Sequence, residues 1–513
     1  MGYDFDAIII GSGAGGGTIA HTLAKAGKQV LLVERGPRFS DVEAFQDEQR
    51  MLINKEAFDD RQIQVNGRNA QLHIAGILGG GTSLYGGVLM RPSPYDFHPG
   101  KFYDKWLPRH LWDWPIAYDD MAPYFDQAEA LFNVAGDKPH KMLNIGTPSN
   151  GYPATVPALE PINQQLEKGI KAAGLTPFHL AFGINFDTCL RCSKCPGFYC
   201  PNESRASTVM RTIDKAVTNY NLKVQTLTEA EYLVTNTRQK VTAIRLRCRK
   251  TGTVEELTAK TYILSAGALG SPVILMKSGL TGRSGQVGRN YMYHCGALVA
   301  GLFKQSTGGA DKFIKQLGFT DLYLGSKEFP HKLGLAQTVP IPGLLSLQEN
   351  FPVPIPQPIA EFLLKRMLVI TGIVEDLPQQ ENRIEVGKDG KIRLFHKFHS
   401  YDVFRSRYYM TKLKRVFRSA GAVLCFGAMG HKDDIHTSHQ VGTTRFGKDP
   451  NTSVLDQDCR LHDHENVFVV DGGFMPNALG VSPALTIAAN ALRVADTILP
   501  KSNVESKRVL TGG

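Results

Sequence analysis

An α/β fold built on a parallel sheet is predicted by three observations. Residues Ala7 to Ile10 form a short apolar run, followed by Gly11-Ser12-Gly13-Ala14-Gly15-Gly16-Gly17, a helical stretch from Thr18 to Ala26, and a second strand-like run from Gln29 to Val33 that ends at Glu34. Thr261 to Leu280 (TYILSAGALGSPVILMKSGL) reads as a strand, a small-residue turn and a helix. Asn466 to Gly473 (NVFVVDGG) reads as a strand ending in Asp471-Gly472, with a long amphipathic helix following within Val481 to Leu499. Short apolar runs that alternate with helices are the pattern of a parallel sheet.

The first element carries GxGxxG in its strand–turn–helix–strand setting, the Rossmann-like fingerprint of dinucleotide binding. Gly11 permits the tight turn, Gly13 lets a pyrophosphate approach the backbone, and Gly16 lets helix pack on strand. The helix N-terminus presents its positive dipole end to phosphate, and Glu34 is placed to accept from a ribose. Candidate contacts here are Gly11, Ser12, Gly13, Ala14, Gly15, Gly16, Glu34 and Arg35. Leu78 to Pro92 (LGGGTSLYGGVLMRP) is a second Gly-rich loop, too long for a simple turn.

Composition bounds the rest. The 513 residues include 42% hydrophobic and 21% charged residues, 51 Gly and 28 Pro, which excludes a disordered chain, a coiled coil and a collagen-like repeat. The net charge of +10 is spread along the chain, densest at Lys412 to Arg418, which reads as a solvated helix face rather than a nucleic-acid patch. No run reaches the ~18 apolar residues of a membrane span, the best being Ile359 to Val374, broken by Glu361, Lys365 and Arg366. With no room for a secretory signal before Ala7, a cytoplasmic protein is expected, without nucleic-acid partners.

The motifs together resemble the glucose–methanol–choline (GMC) family of flavin oxidoreductases over nearly the whole length. Leu78 to Pro92 is similar to the family's first signature and Gly267 to Gly279 to its second. Trp112-Asp113-Trp114-Pro115 with Tyr118-Asp119-Asp120 resembles a family helix start, while His439 to Gly447 (HQVGTTRFG) and the C-terminal VVDGG segment fall in family order. The resemblance implies FAD in a discontinuous Rossmann-like domain (1–95, 203–293 and 441–503). It also implies a family helix and Cys-rich connecting region (96–202) and an α+β substrate cap on an antiparallel sheet (294–440). By the same likeness Gly80, Thr82, Gly86, Gly87, Tyr232, Ala266, Asp471 and Gly472 join the cofactor contacts. Leu84 stands near where some relatives carry a flavin-linking His, which implies noncovalent FAD.

Alcohol oxidation needs a base that takes the hydroxyl proton as hydride leaves, and neutral imidazole suits it. Of the 15 His, His439 is the candidate because it opens HQVGTTRFG; His110, His294, His431 and His436 read as structural or exposed. The family usually places a second His or Asn before the Pro of the last helix, where this chain has Ser482, a shorter donor and acceptor. Tyr85 stands where many relatives have Asn.

Cys189, Cys192, Cys195 and Cys200 fall within twelve residues. Four thiolates could hold an iron–sulfur cluster or zinc, but the spacing departs from the bacterial ferredoxin run. Thiols or a disulfide are the preferred reading over either metal. Arg383 to Val386 and Ile392 to Leu394, joined across Asp389-Gly390, read as a hairpin, and the Pro-rich run from Val339 to Pro358 as a surface loop or lid. The expected function is FAD-dependent oxidation of a sugar or polyol alcohol, with an electron acceptor as second partner. Choline-like or simple aliphatic alcohols, and a non-redox lyase on the same fold, are the alternatives.

Overall fold

The computed structural model describes all residues except 1, 40–45, 139–140, 237–239, 310–311, 342, 351–352, 430–437 and 500–513. His431 and His436 lie outside the described residues.

Five parallel strands form the central sheet. Phe5–Ile10 lies between Val30–Val33 and Ala259–Leu264, with Lys223–Gln225 outside the former and Val467–Val469 outside the latter. Ile8, Ile9, Leu32 and Ile263 are fully buried, because helices cover the sheet and each strand needs apolar side chains on both faces. That is why these strands read as continuous apolar runs. The helices Ala14–Lys25 and Ala484–Ile498 pack on each other beside this sheet, and Tyr118–Phe132 packs on the second.

A six-stranded antiparallel sheet runs in the order Leu424–Met429, Ala297–Leu302, Met367–Gly372, Ala336–Val339, Leu317–Phe319, Phe178–His179. Side chains alternate across it. Ala336, Leu368 and Ile370 enter a core shared with the helices Pro161–Ala172 and Ser400–Ser419, which leaves Gln337, Val339 and Thr371 on the opposite face. The basic stretch Lys412 to Arg418 lies on the second of these helices, burying Leu413, Val416 and Phe417 while Arg415 and Arg418 stay exposed.

Two elements lie across the expected boundaries. Phe178–His179 joins the antiparallel sheet from the connecting region. The expected hairpin forms between Arg383–Val386 and Ile392–Phe395, but it pairs with Ile63–Val65 in a separate four-stranded sheet. The Pro-rich run is also corrected, because it holds the helix Leu344–Asn350, with Leu347 buried. Its first amides, of Leu344 and Leu345, donate to the carboxylate of Glu48 at 3.2 and 2.7 Å. That cap comes from a distant part of the chain, so no local signal marks the helix start.

Candidate active site

One continuous cavity of about 1110 Å³ runs from the Gly-rich turn to the antiparallel sheet. It exceeds the ~300–1,000 Å³ of an ordinary small-molecule pocket, so it has room for a dinucleotide and a substrate. Gly11, Ser12, Gly13, Ala14, Gly15, Glu34, Arg35, Gly80, Thr82, Gly86, Ala266, Asp471 and Gly472 all line it, as do His439 and Ser482.

The turn is built as its glycines require. Gly11 sits at φ +96°, where a side chain would be strained and would also strike the Ser265 carbonyl. Gly13 differs, since nothing lies within 4 Å of where its Cβ would be. That open space is on the cavity wall at the N-terminus of Ala14–Lys25, which has no side-chain cap. Uncapped amides at a helix N-terminus beside open space fit a pyrophosphate.

Glu34 is buried and accepts from the Ser12 amide at 3.1 Å, the Ser12 hydroxyl at 2.5 Å and the Gly36 amide at 2.9 Å. Burial pushes its proton affinity up despite these donors. Asp471 accepts from the Ser271 hydroxyl and, at 2.8 Å, from the Gly473 amide; burial pushes it up to about 6. Both residues line the cavity, and carboxylates of this kind could accept from cofactor hydroxyls. Thr82 and Arg35 are spoken for by protein groups. The Thr82 hydroxyl donates to the Gly79 carbonyl at 2.6 Å, and the Arg35 guanidinium pairs with Asp60 at 2.7 Å and Glu229 at 3.2 Å.

Three residues expected as cofactor contacts do not line the cavity. Gly16 packs against the Gly11 carbonyl, and Gly87 packs against Ile184. Tyr232 lies beneath Arg245 in a depression that adjoins the cavity through Glu229 and Lys277, while Thr228, Glu229 and Ala230 of the same strand line the cavity itself. The strand thus reaches the cavity through its beginning. Leu84 lines the cavity, as does Tyr85, whose hydroxyl donates to the Ala206 carbonyl at 2.7 Å.

At the other end His439 stands at φ +65°, a left-handed backbone that costs a β-carbon residue of order ~1 kcal/mol or more and is concentrated at functional sites. Its Nδ1 lies 3.0 Å from Nδ1 of His294. His294, read from sequence as structural, is therefore part of the site. Its Nε2 lies 3.0 Å from the Ala478 carbonyl and 3.1 Å from that of Leu479. Carbonyls only accept, so Nε2 carries the proton, and burial keeps the His294 ring neutral. Its Nδ1 is then an acceptor and His439 must donate from Nδ1. That leaves Nε2 of His439 as the lone-pair nitrogen. Burial, then the neighbouring His294 and Lys315, pushes His439 down to about 3, so it is neutral over the ordinary pH range.

A buried ionic network backs the two carbonyls. Lys332 pairs with Asp96 and, at 2.6 Å, with Glu375, and Glu375 accepts from Asn477 Nδ2 at 3.0 Å. Trp114 Nε1 donates to Asn477 Oδ1 at 2.7 Å. The network thus fixes the chain just before Ala478 and Leu479. His110 is exposed, with Nε2 3.4 Å from an Arg445 nitrogen.

The cysteine loop holds no metal centre among the described residues, where no group of three or more His, Cys, Asp or Glu is arranged for one. Cys189, Cys192, Cys195 and Cys200 are free thiols, and burial pushes Cys189 up to about 11 and raises Cys195 as well. The iron–sulfur possibility, the less preferred reading of these four cysteines, is not supported. No helix among the described residues is long and apolar enough to cross a membrane.

The chain is similar to known proteins along most of its length. Family models described as GMC oxidoreductase match residues 5–296 and 378–491. The chain is 28% identical to 6'''-hydroxyparomomycin C oxidase of Streptomyces lividus, across 96% of this chain and 91% of that one. It is 27% identical to paromamine 6'-oxidase of Streptomyces fradiae over the same shares. Pyridoxine 4-oxidase of Mesorbium loti superposes with a TM-score of 0.69 at 19% identity, covering 96% of this chain and 98% of that one, a likeness of fold. The two matched models span most of the sequence, and with a cavity whose residues fit FAD they establish that this chain is a member of the GMC oxidoreductase family.

Proposed function

We propose that the chain oxidises a carbinol of a sugar or polyol to a carbonyl, with noncovalently bound FAD as the electron acceptor and His439 as the base. The observation that carries this is the His294–His439 pair, which presents an unprotonated Nε2 in the cavity that also holds the nucleotide end. FAD, when bound, supplies the two-electron acceptor for the hydride leaving the carbinol carbon. His439 Nε2 takes the hydroxyl proton as the C=O bond forms, so no charge is stranded on the alkoxide. Ser482, buried in the same wall, anchors the hydroxyl. Leu84 offers no atom that could bond to a flavin.

Relatives named for an aminoglycoside, 2-methyl-1,2-propanediol and fructose support the sugar or polyol class. A choline-like cation is disfavoured by the buried amine of Lys315 in the same cavity. The test is anaerobic stopped-flow reduction of the flavin with sugars, polyols and choline. His439→Ala should retain FAD yet slow reduction at least ~10²-fold, the low end of what a positioned base contributes. Rising pH should restore part of the loss. Reduction of His439→Ala at the parent rate would refute the base, and no reduction of the parent by any polyol would refute the substrate class.

A further inference from the structure

The antiparallel sheet turns a polar face to the cavity. Gln337 and Thr371 are cross-strand partners in register and both line it. Lys315, which enters the neighbouring strand Leu317–Phe319, lines it too. Lys315 is 5% exposed and Gln337 6%. Their hydrogen-bonding capacity is largely unused. Lys315 Nζ has three donors, yet its one bond among the described residues is to the Gly86 carbonyl at 3.3 Å. Gln337 Oε1 is buried with no partner.

The charge of Lys315 is also unanswered. Among the described residues no carboxylate forms an ion pair with it, whereas Lys332, the other deeply buried lysine, has two. A buried charge without a counter-ion is costly, and buried cations are ordinarily paired. What faces Lys315 is the protonated thiol of Cys195, the guanidinium of Arg205 and the neutral ring of His439. None of these supplies negative charge. A counter-ion for the charged amine would therefore have to enter through the cavity.

We propose that Lys315 is the anion-recognising residue of the substrate end, and that the substrate carries a carboxylate beside its hydroxyls: a polyhydroxy acid rather than a neutral or amine-bearing sugar. This rests on the reading of the His439 end as the substrate site. One molecule of that class answers both vacancies, its carboxylate accepting from Lys315 and one hydroxyl donating to Gln337 Oε1. A neutral polyol fills only the second, and an ammonium is repelled by the first. The competing role for Lys315 is to offset charge on the reduced cofactor.

The test is isothermal titration of the FAD-loaded protein with D-gluconate, D-glucitol and D-glucosamine. The parent should bind gluconate at least about 10-fold more tightly than the other two, the scale of one hydrogen bond to a charged group. Lys315→Met should abolish the preference and Lys315→Arg should keep it. Burial pushes Lys315 down to about 8, so its charge is present below that pH and lost above it. The parent's gluconate preference should therefore fade as pH rises through about 8, a readout that needs no variant to fold. Equal binding of gluconate and glucitol, or binding of neither, overturns the proposal. So does a Lys315→Met protein that keeps the preference while its flavin potential falls, which would assign the amine to the cofactor. Failure of the base assignment shows separately, as parent-rate reduction in His439→Ala with the binding ratio still measurable.

Discussion

Replacing His294 by Ala isolates the part of the base that lies behind His439. Among the described residues, the Nδ1–Nδ1 contact at 3.0 Å is the hydrogen bond that selects the His439 tautomer. A net hydrogen bond of this kind is worth about 0.5–1.5 kcal/mol, and each ~1.4 kcal/mol is tenfold in rate. His294→Ala should therefore slow flavin reduction about 2- to 12-fold, well short of the ~10²-fold or more expected when the base itself is removed. The Ala478 and Leu479 carbonyls, now without their donor, should cost the fold about 1–3 kcal/mol in addition.

Two further readouts separate positioning from mere packing. His294→Gln should recover part of the rate, because an amide oxygen can accept from His439 Nδ1. The acid limb of the pH profile should also move. In acid, where its own ring takes up a proton, His294 is one of the groups, after burial, that hold His439 down at about 3. Without it the His439 ring protonates at a higher pH, and because the base must be neutral the rate should fall off earlier on acidification. The measurement is single-turnover flavin reduction from pH 4 to 9 at saturating substrate. A His294→Ala protein with the parent's rate and no acid limb emerging within that range would refute the tautomer argument.

Gly13→Val should abolish FAD retention, since its side chain would occupy the open space where the pyrophosphate belongs, and the parent should release intact FAD on denaturation. Absorbance of the supernatant after precipitation checks both, and flavin that stays with the pellet would contradict noncovalent binding. Cys192→Ser should leave flavin reduction unchanged, with iron near zero in parent and variant alike. Stoichiometric iron lost together with electron transfer would restore the cluster reading.

What could be read in advance follows from where each constraint resides. Gly11, Gly13 and Gly16 answer demands made by their own backbone, so a dozen contiguous residues display them. The buried strands were legible for a related reason, because burial on both faces leaves no polar positions. Asp471 and His439 were reached through family likeness to short segments. Tyr232 shows how finely such likeness must be read, since Ala230 lines the cavity while Tyr232, two residues on along the same strand, lies in the adjoining depression. His294, Lys315 and Gln337 are of another kind. Each sits in ordinary sequence, and each matters because sheet pairing brings strands distant in the chain onto one wall. A buried lysine with an ion pair, such as Lys332, and one without, such as Lys315, look alike as sequence and differ only in what packs around them. The cofactor end is thus written locally and the substrate end tertiarily. A protein can therefore declare a dinucleotide-binding domain in its first thirty-five residues while the groups on the sheet wall of its cavity come together only when the cap is assembled.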